Sequence, residues 1–143
     1  MQTSFSEALA GLAKRYGLTA VYVFGSQAAD AASYIQSPFF PILNPEMDVD
    51  IGIQSIPDKK LSAQDRVEIT LILEELFQVR RVDLVVLPEA GPFLALDIII
   101  GELIYCNDPD RQAEDELYVL RRAGDLAYYE QQRRQHIIDG DSV

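Results

Sequence analysis

The spacing of apolar positions predicts that helices and strands alternate along the chain. Ser4-x-x-Glu7 has the form of a capping box, and apolar residues then recur at helical spacing as far as Tyr16. Gly17 predicts the end of this first helix. Residues 18–24 form an almost continuous apolar run. Such a run indicates a strand buried on both faces, as in a sheet covered by helices.

The middle of the chain repeats this order. We expect a second helix over 27–34, a second strand over 48–54, a third helix from Ser62 to about Phe77 and a third strand over 82–87. The third helix again opens with a capping pattern. Its predicted packing face consists of Val67, Leu71, Leu73, Leu76 and Phe77.

A proline-rich segment, residues 35–45, separates the second helix from the second strand. Its three prolines exclude a regular helix, so we expect a loop. Phe39, Phe40 and Ile42 make this segment unusually apolar for a loop. Two interpretations remain open: these side chains fold back onto the core, or they cover a bound nucleotide or meet a partner.

The C-terminal part predicts a short helix over 93–100, an extended segment over 103–106 and a long final helix from about Asp110 to about Ile137. Residues 98–100 would also suit a strand. The predicted apolar face of the final helix consists of Leu117, Leu120, Ala123, Leu126 and Ala127. The distal half is polar, so the helix either packs along the domain or projects toward a partner or another copy. Residues 139–143 are expected to be a disordered tail.

Length and composition indicate one ordered domain over residues 1–143. The core is expected over about 1–107 and the C-terminal helix over about 109–137. Hydrophobic residues make up 48% of the chain, which is too many for a disordered protein. A single cysteine and a single histidine exclude an internal disulfide and disfavour structural zinc. No secretory signal or membrane span is recognisable, so a cytoplasmic location is expected.

The formal net charge of −11 makes broad electrostatic binding to nucleic acid improbable. An acidic chain that handles a nucleoside triphosphate must recruit metal ions locally. The same charge favours a basic protein partner, but it is equally explained by solubility. Charge alone therefore leaves the kind of partner open.

Two short motifs suggest a phosphate and metal site. Gly25-Ser26 follows the first strand, and glycine allows the backbone to approach an anion closely where the next helix begins. Asp48 and Asp50 alternate with apolar residues, so at strand spacing both carboxylates share one face. Their repulsion would be relieved by a divalent cation, and Mg²⁺ prefers carboxylates, water and phosphate as ligands.

A third carboxylate, Asp83, lies within the third predicted strand. A charged residue among valines and leucines there needs either a metal or an ion pair. The neighbouring Arg80 or Arg81 would supply such an ion pair, although both also suit a solvated helix end. Both interpretations of Asp83 therefore stay open.

The order Gly25-Ser26, Asp48-x-Asp50 and a later strand Asp83 resembles the DNA polymerase beta-like nucleotidyltransferases. More narrowly, the chain is similar over nearly its whole length to the minimal nucleotidyltransferase (MNT) antitoxins that pair with HEPN-domain toxins. The resemblance implies an α/β (α+β) fold with a small mixed sheet flanked by helices.

The resemblance also implies a function. Two Mg²⁺ ions would be held by Asp48, Asp50 and Asp83, which would also be the catalytic residues, while Gly25 and Ser26 would bind the nucleotide. The donor would be ATP and the acceptor a tyrosine hydroxyl of the HEPN toxin, so the reaction would be protein AMPylation. No direct nucleic-acid or membrane binding is expected, and a homo- or hetero-oligomer is possible.

Two departures from the family pattern keep other functions open. Twenty-one residues separate Ser26 from Asp48, a longer interval than the family usually has, and Gln27 stands where a basic residue commonly follows Gly-Ser. One alternative is a catalytically weak or inactive fold that neutralises its partner by binding alone. A second alternative is a nucleotidyltransferase that acts on a small molecule.

Overall fold

The computed structural model describes residues 4–36, 46 and 48–138. Residues 37–45 of the predicted loop, which include Phe39, Phe40 and Ile42, therefore lie outside the described residues. The predicted tail, residues 139–143, lies outside them as well. Five α-helices, one short 3-10 helix and four strands occur in the described part. In chain order they are α1 (Phe5–Tyr16), β1 (Leu18–Phe24), α2 (Ala28–Gln36), β2 (Asp48–Ser55), α3 (Ala63–Phe77), β3 (Arg81–Val86), the 3-10 helix (Leu87–Glu89), α4 (Pro92–Ile99), β4 (Glu102–Cys106) and α5 (Pro109–Ile138).

The strands form one mixed sheet in the order β3-β2-β1-β4. β1 is antiparallel to both β2 and β4, whereas β2 and β3 are parallel and are connected through α3. A parallel pair needs such a crossover because a tight turn cannot join two strands that run the same way. The predicted mixed sheet flanked by helices with a long C-terminal helix is confirmed. No helix within the described ranges has the length and apolar character needed to cross a membrane.

Two apolar layers cover the two faces of the sheet. On one face, buried residues of β2 such as Val49, Ile51 and Ile53 belong to a core built with α1, α2 and α3. Phe5 and Phe77 meet there edge to face with ring centroids 4.9 Å apart. On the other face, Ala20, Tyr22 and Phe24 of β1 belong to a second core built with α4 and α5. Burial on both sides explains the unbroken apolar run of β1, as predicted.

The packing face of α3 agrees with the prediction in part. Leu73 and Phe77 are buried as predicted, Leu76 packs against the same core, and Ile69, four residues before Leu73, is buried on the same side of the helix. Val67 and Leu71, which were expected to pack, are 58% and 59% exposed. Both stripes are apolar in sequence, and contact with the sheet selects the one that includes Phe77.

α5 also packs through only part of the predicted face. Ala123, which was predicted to pack, is buried together with Val119, whereas Leu117 and Leu120 are 50% and 49% exposed. The face toward the sheet is partly polar, because the Tyr22 hydroxyl donates a hydrogen bond to Glu116 Oε1 at 2.9 Å. Burial is the main cause that raises the pKa of Tyr22, and the hydrogen bond to Glu116 acts in the same direction.

A hydrogen bond between α1 and α3 gives a pH-dependent contribution to stability. The Tyr16 hydroxyl donates to Glu68 Oε2 at 2.6 Å, and this bond is the main cause that lowers the pKa of Glu68. Because the folded pKa is depressed, the contribution is fully present above the unfolded value of about 4.3 and is lost as pH falls through the folded pKa.

We therefore expect Tyr16→Phe to lower the free energy of unfolding at pH 7 and to flatten its fall below pH 5. Denaturant titrations across this pH range measure the effect. Tyr34→Phe is the matched control, since the Tyr34 hydroxyl bonds the Leu76 carbonyl, which does not titrate. Equal acid dependence of Tyr16→Phe and the unsubstituted chain would contradict the prediction.

Candidate active site

The end of β1 and the beginnings of β2 and β3 meet at one edge of the sheet. Phe24, the last residue of β1, lies opposite Asp50 of β2, and Asp50 in turn lies beside Asp83 of β3. Gly25 follows Phe24 directly, and Asp48 precedes Asp50 by two residues on β2. The structure therefore brings the sequence-predicted residues of both motifs and of β3 to the same place.

The aspartates face the α4 and α5 side of the sheet. Val49 and Ile51, which alternate with them on β2, are fully buried against the opposite helices. Alternation along a strand then directs Asp48 and Asp50 to the other face. Asp48 is exposed and Asp50 is half-buried, so the pair lies where the sheet opens to solvent.

The three carboxylates influence one another electrostatically. Burial is the largest cause that raises the pKa of Asp50, followed by the charge of Asp83 and then that of Asp48. A hydrogen bond with Asp83 acts in the same direction. Like charges on adjacent strands are unfavourable without a counter-ion, so this edge of the sheet attracts a cation.

One cation of the chain already lies at this edge. The Arg81 Nε donates to Asp83 Oδ1 at 3.0 Å, whereas Arg80 pairs with Glu46. The sequence interpretation of Arg81 as part of a solvated helix end is therefore wrong, because Arg81 is the first residue of β3. The ion pair between Arg81 and Asp83, which was one of the two interpretations of Asp83 from the sequence, is present. The signal was available in the sequence, since residues two apart on a strand share a face.

Gly25 brings backbone close to Asp50. Its φ is +78°, in the left-handed region that favours glycine. A Cβ built on Gly25 would lie 2.5 Å from Asp50 Oδ2, so a side chain at this position would force the carboxylate to move. Ser26 is exposed beside it, and Gln27 is buried where the turn enters α2. The Ala28 backbone N–H donates a hydrogen bond to the Gly25 carbonyl oxygen, with an N–O distance of 3.3 Å, and this bond closes the turn.

The donor set fits a hard divalent cation in its chemistry. Asp48, Asp50 and Asp83 supply only carboxylate oxygens, which Mg²⁺ prefers over nitrogen or sulfur ligands. Within the described residues, no group of three or more His, Cys, Asp or Glu side chains is placed so that it could hold a metal ion by itself. Mg²⁺ keeps several waters and takes substrate phosphates as ligands, so the carboxylates need to supply only part of its coordination.

Solved structures of toxin–antitoxin complexes share this fold. One, described as a toxin–antitoxin with AMP-PNP, matches with a TM-score of 0.60 and 21% identity, covering 96% of this chain and 98% of the other. Another, the tri-AMPylated Shewanella oneidensis HEPN toxin in complex with its MNT antitoxin, matches with a TM-score of 0.57 and 22% identity over the full length of both chains. A comparison with curated proteins found no match.

The family comparison is more direct than these structural likenesses. Residues 7–110 match the family described as "Polymerase beta, Nucleotidyltransferase". The matched region begins in α1, contains all four strands and includes Gly25, Ser26 and the three aspartates. The chain therefore belongs to the polymerase beta nucleotidyltransferase family.

Proposed function

We propose that this chain is an antitoxin that transfers AMP from ATP to a tyrosine hydroxyl of a partner HEPN ribonuclease toxin. The observation that carries the proposal is the pairing of β1, β2 and β3, in which Phe24 lies opposite Asp50 and Asp50 lies beside Asp83. This pairing places the Gly25 turn next to two carboxylates. The family and the fold of the MNT antitoxin support the choice of reaction and partner. A cytoplasmic location is part of the proposal.

Each site residue has a distinct role in the proposed reaction. Asp48 and Asp50 would hold the Mg²⁺ that accompanies ATP, and Asp50 and Asp83 would hold a second ion near the acceptor hydroxyl. When bound, the ions neutralise the phosphates and favour loss of the acceptor proton. The Gly25 turn, through its backbone and Ser26, would bind the β- and γ-phosphates.

The chemical step has a simple balance. The acceptor oxygen forms a bond to the α-phosphorus of ATP as the bond to the bridging oxygen of pyrophosphate breaks. The hydroxyl proton passes to Asp83, and pyrophosphate leaves. Arg81 helps to place the Asp83 carboxylate through its 3.0 Å hydrogen bond.

The exposed side of α5 is the surface that we propose binds the partner. Several large apolar side chains there are about half exposed or more: Leu117, Tyr118, Leu120, Tyr128 and Tyr129. Tyrosine and arginine are typical of the energetically important centre of an interface. Residues 117–138 also carry four arginines against two carboxylates, which contrasts with the acidic remainder of the chain.

We expect Leu120→Asp combined with Tyr128→Asp to weaken partner binding by about tenfold or more, because each change buries a charge in an apolar contact. Titration calorimetry with the purified partner measures the affinity. Leu71→Asp on α3 is the matched control, since Leu71 is 59% exposed but lies on another helix. Equal weakening by the control would argue against α5 as the binding surface.

The experiment that tests the proposed reaction is the intact mass of the co-purified partner before and after incubation with ATP and Mg²⁺. We expect the partner's mass to rise in steps of one AMP. A partner that binds tightly but never gains mass would overturn the enzymatic proposal.

A second function, neutralisation by binding alone, is favoured by a specific observation. The Asp83 carboxylate is engaged by Arg81, and Gln27 replaces the usual basic residue of the turn. Under this alternative, the chain would protect cells from the toxin even when the aspartates are replaced. Toxin neutralisation by Asp48→Asn/Asp50→Asn therefore separates the two functions.

A further inference from the structure

A basic pocket lies at the end of the sheet opposite the aspartates. It is formed by the last two residues of β2, by residues 56, 57 and 59–61 after it, by the first turn of α3, by the end of β3 and the 3-10 helix, and by the first turn of α5, with a volume of about 410 Å³. Ser55, which lines it, is five residues beyond Asp50 on β2, which corresponds to roughly 17 Å at about 3.3 Å per residue. The pocket is therefore separate from the candidate active site.

Positive charge is concentrated in this pocket. Lys59, Lys60, Arg66 and Arg111 line it, which is four of the chain's 12 basic residues, and Glu89 is the only carboxylate among the lining residues. The chain as a whole carries a net charge of −11. A concave surface lined by one sign of charge concentrates counter-ions. This pocket therefore attracts anions, although the chain as a whole repels them.

Only part of this positive charge is neutralised within the molecule. Arg66 is neutralised by Glu89 through two hydrogen bonds of 2.8 and 2.6 Å. Lys59 donates only to a backbone carbonyl, that of Arg15 at 3.4 Å, which leaves its charge uncompensated. Lys60 and Arg111 form no ion pair among the described residues, although the charge of Lys60 acts on Glu89 and that of Arg111 acts on Asp115.

The Arg111 side chain contains a buried polar atom without a partner. Its Nε is buried and has no hydrogen-bond partner among the described residues. A buried donor without an acceptor costs free energy. Because this Nε is also closed to solvent, an anion in the pocket would bond it only after a shift of the Arg111 side chain, and that shift would relieve the cost.

We propose that this pocket binds a small molecule that carries two adjacent phosphoryl groups. The four cations that line the pocket carry more charge than its one lining carboxylate, Glu89, can neutralise, and arginine and lysine together suit phosphate oxygens. Ile56, Pro57 and Pro88 add apolar walls that limit the ligand's size and can hold a nucleoside. A long nucleic acid is disfavoured, because the rest of this acidic chain would repel it. The proposal does not depend on the transfer reaction.

Titration calorimetry of the full chain with inorganic pyrophosphate, without divalent metal, tests the proposal. We expect saturable binding that Lys60→Gln combined with Arg111→Gln weakens by about tenfold or more. Lys14→Gln combined with Arg121→Gln is the matched control, since it removes two exposed charges that lie outside the pocket. Asp48→Asn/Asp50→Asn should bind pyrophosphate as the unsubstituted chain does, which separates this pocket from the active site.

Two comparisons refine the test. Inorganic phosphate should bind more weakly than pyrophosphate, and ADP tests whether the natural ligand is a nucleotide. Tighter binding of ADP than of pyrophosphate identifies a nucleotide, and weaker binding identifies the free anion; both support the site. Lys60→Gln alone changes an exposed residue, so it remains informative if the double variant does not fold. The proposal is overturned if pyrophosphate does not bind saturably, or if Lys60→Gln leaves its affinity unchanged.

Discussion

Replacing Asp48 and Asp50 with asparagine is expected to abolish AMP transfer while leaving the fold intact. Asparagine has nearly the same shape as aspartate but lacks the charge that holds a divalent cation. Loss of several kcal/mol of electrostatic stabilisation in the transition state corresponds to a rate decrease of at least about a thousandfold. Stability should not fall, because the substitution removes like charges that face Asp83 across adjacent strands.

Intact mass of the partner after incubation with ATP and Mg²⁺ measures transfer, and thermal unfolding measures the fold. Asp58→Asn combined with Asp110→Asn is the matched control, because both carboxylates are exposed after β2 and in the first turn of α5, away from the Gly25 turn. We expect the control to transfer AMP at the normal rate. Unchanged transfer by Asp48→Asn/Asp50→Asn would contradict the assignment of these carboxylates as catalytic residues.

The order and type of the elements could be predicted because local signals agree along the chain. The capping box at Ser62, for example, is present in the structure, with reciprocal hydrogen bonds between Ser62 and Asp65. β1 was identified from its apolar run alone. The predicted boundaries differ by one or two residues, as for β3, which begins at Arg81 rather than at residue 82.

The packing faces of α3 and α5 could be predicted from apolarity only in part. Val67 and Leu71 are as apolar as Ile69 and Leu73, so the sequence of α3 offers two stripes and only contact with the sheet chooses between them. In α5, the buried Tyr22 hydroxyl requires a hydrogen-bonding partner, and Glu116 provides it. A polar residue therefore occupies a packing position that a search for apolar periodicity passes over.

The sequence predicted which residues form the site, but it did not predict how they are arranged in space. Strand alternation placed Asp48 and Asp50 on one face, but the register that sets Asp50 beside Asp83 depends on how β2 and β3 pair. Pairing between strands is a tertiary property that a single sequence does not specify. The Arg81–Asp83 contact did not need this knowledge, because both residues lie on β3 two positions apart, and it was missed only because the strand was predicted to begin at residue 82.

Gly25→Ala is the second substitution with a large expected effect, and it tests the turn rather than the carboxylates. Alanine at a φ of +78° costs about 1–2 kcal/mol of stability, because its Cβ crowds the backbone. The new Cβ would also lie 2.5 Å from Asp50 Oδ2, so the carboxylate must move. A displacement of about 1 Å at a reacting centre can cost about a hundredfold in rate, and we expect a loss of that size.

Denaturant unfolding and the AMP-transfer assay together measure both effects. Gly91→Ala is the matched control, since its φ of −65° suits alanine and no atom lies within 4 Å of the added Cβ. The control should keep normal transfer. If Gly25→Ala is destabilised yet transfers AMP at the normal rate, the turn is structural and the phosphates bind elsewhere. If transfer falls far more than the folded fraction does, the close approach of the Gly25 backbone to Asp50 is part of the catalytic geometry.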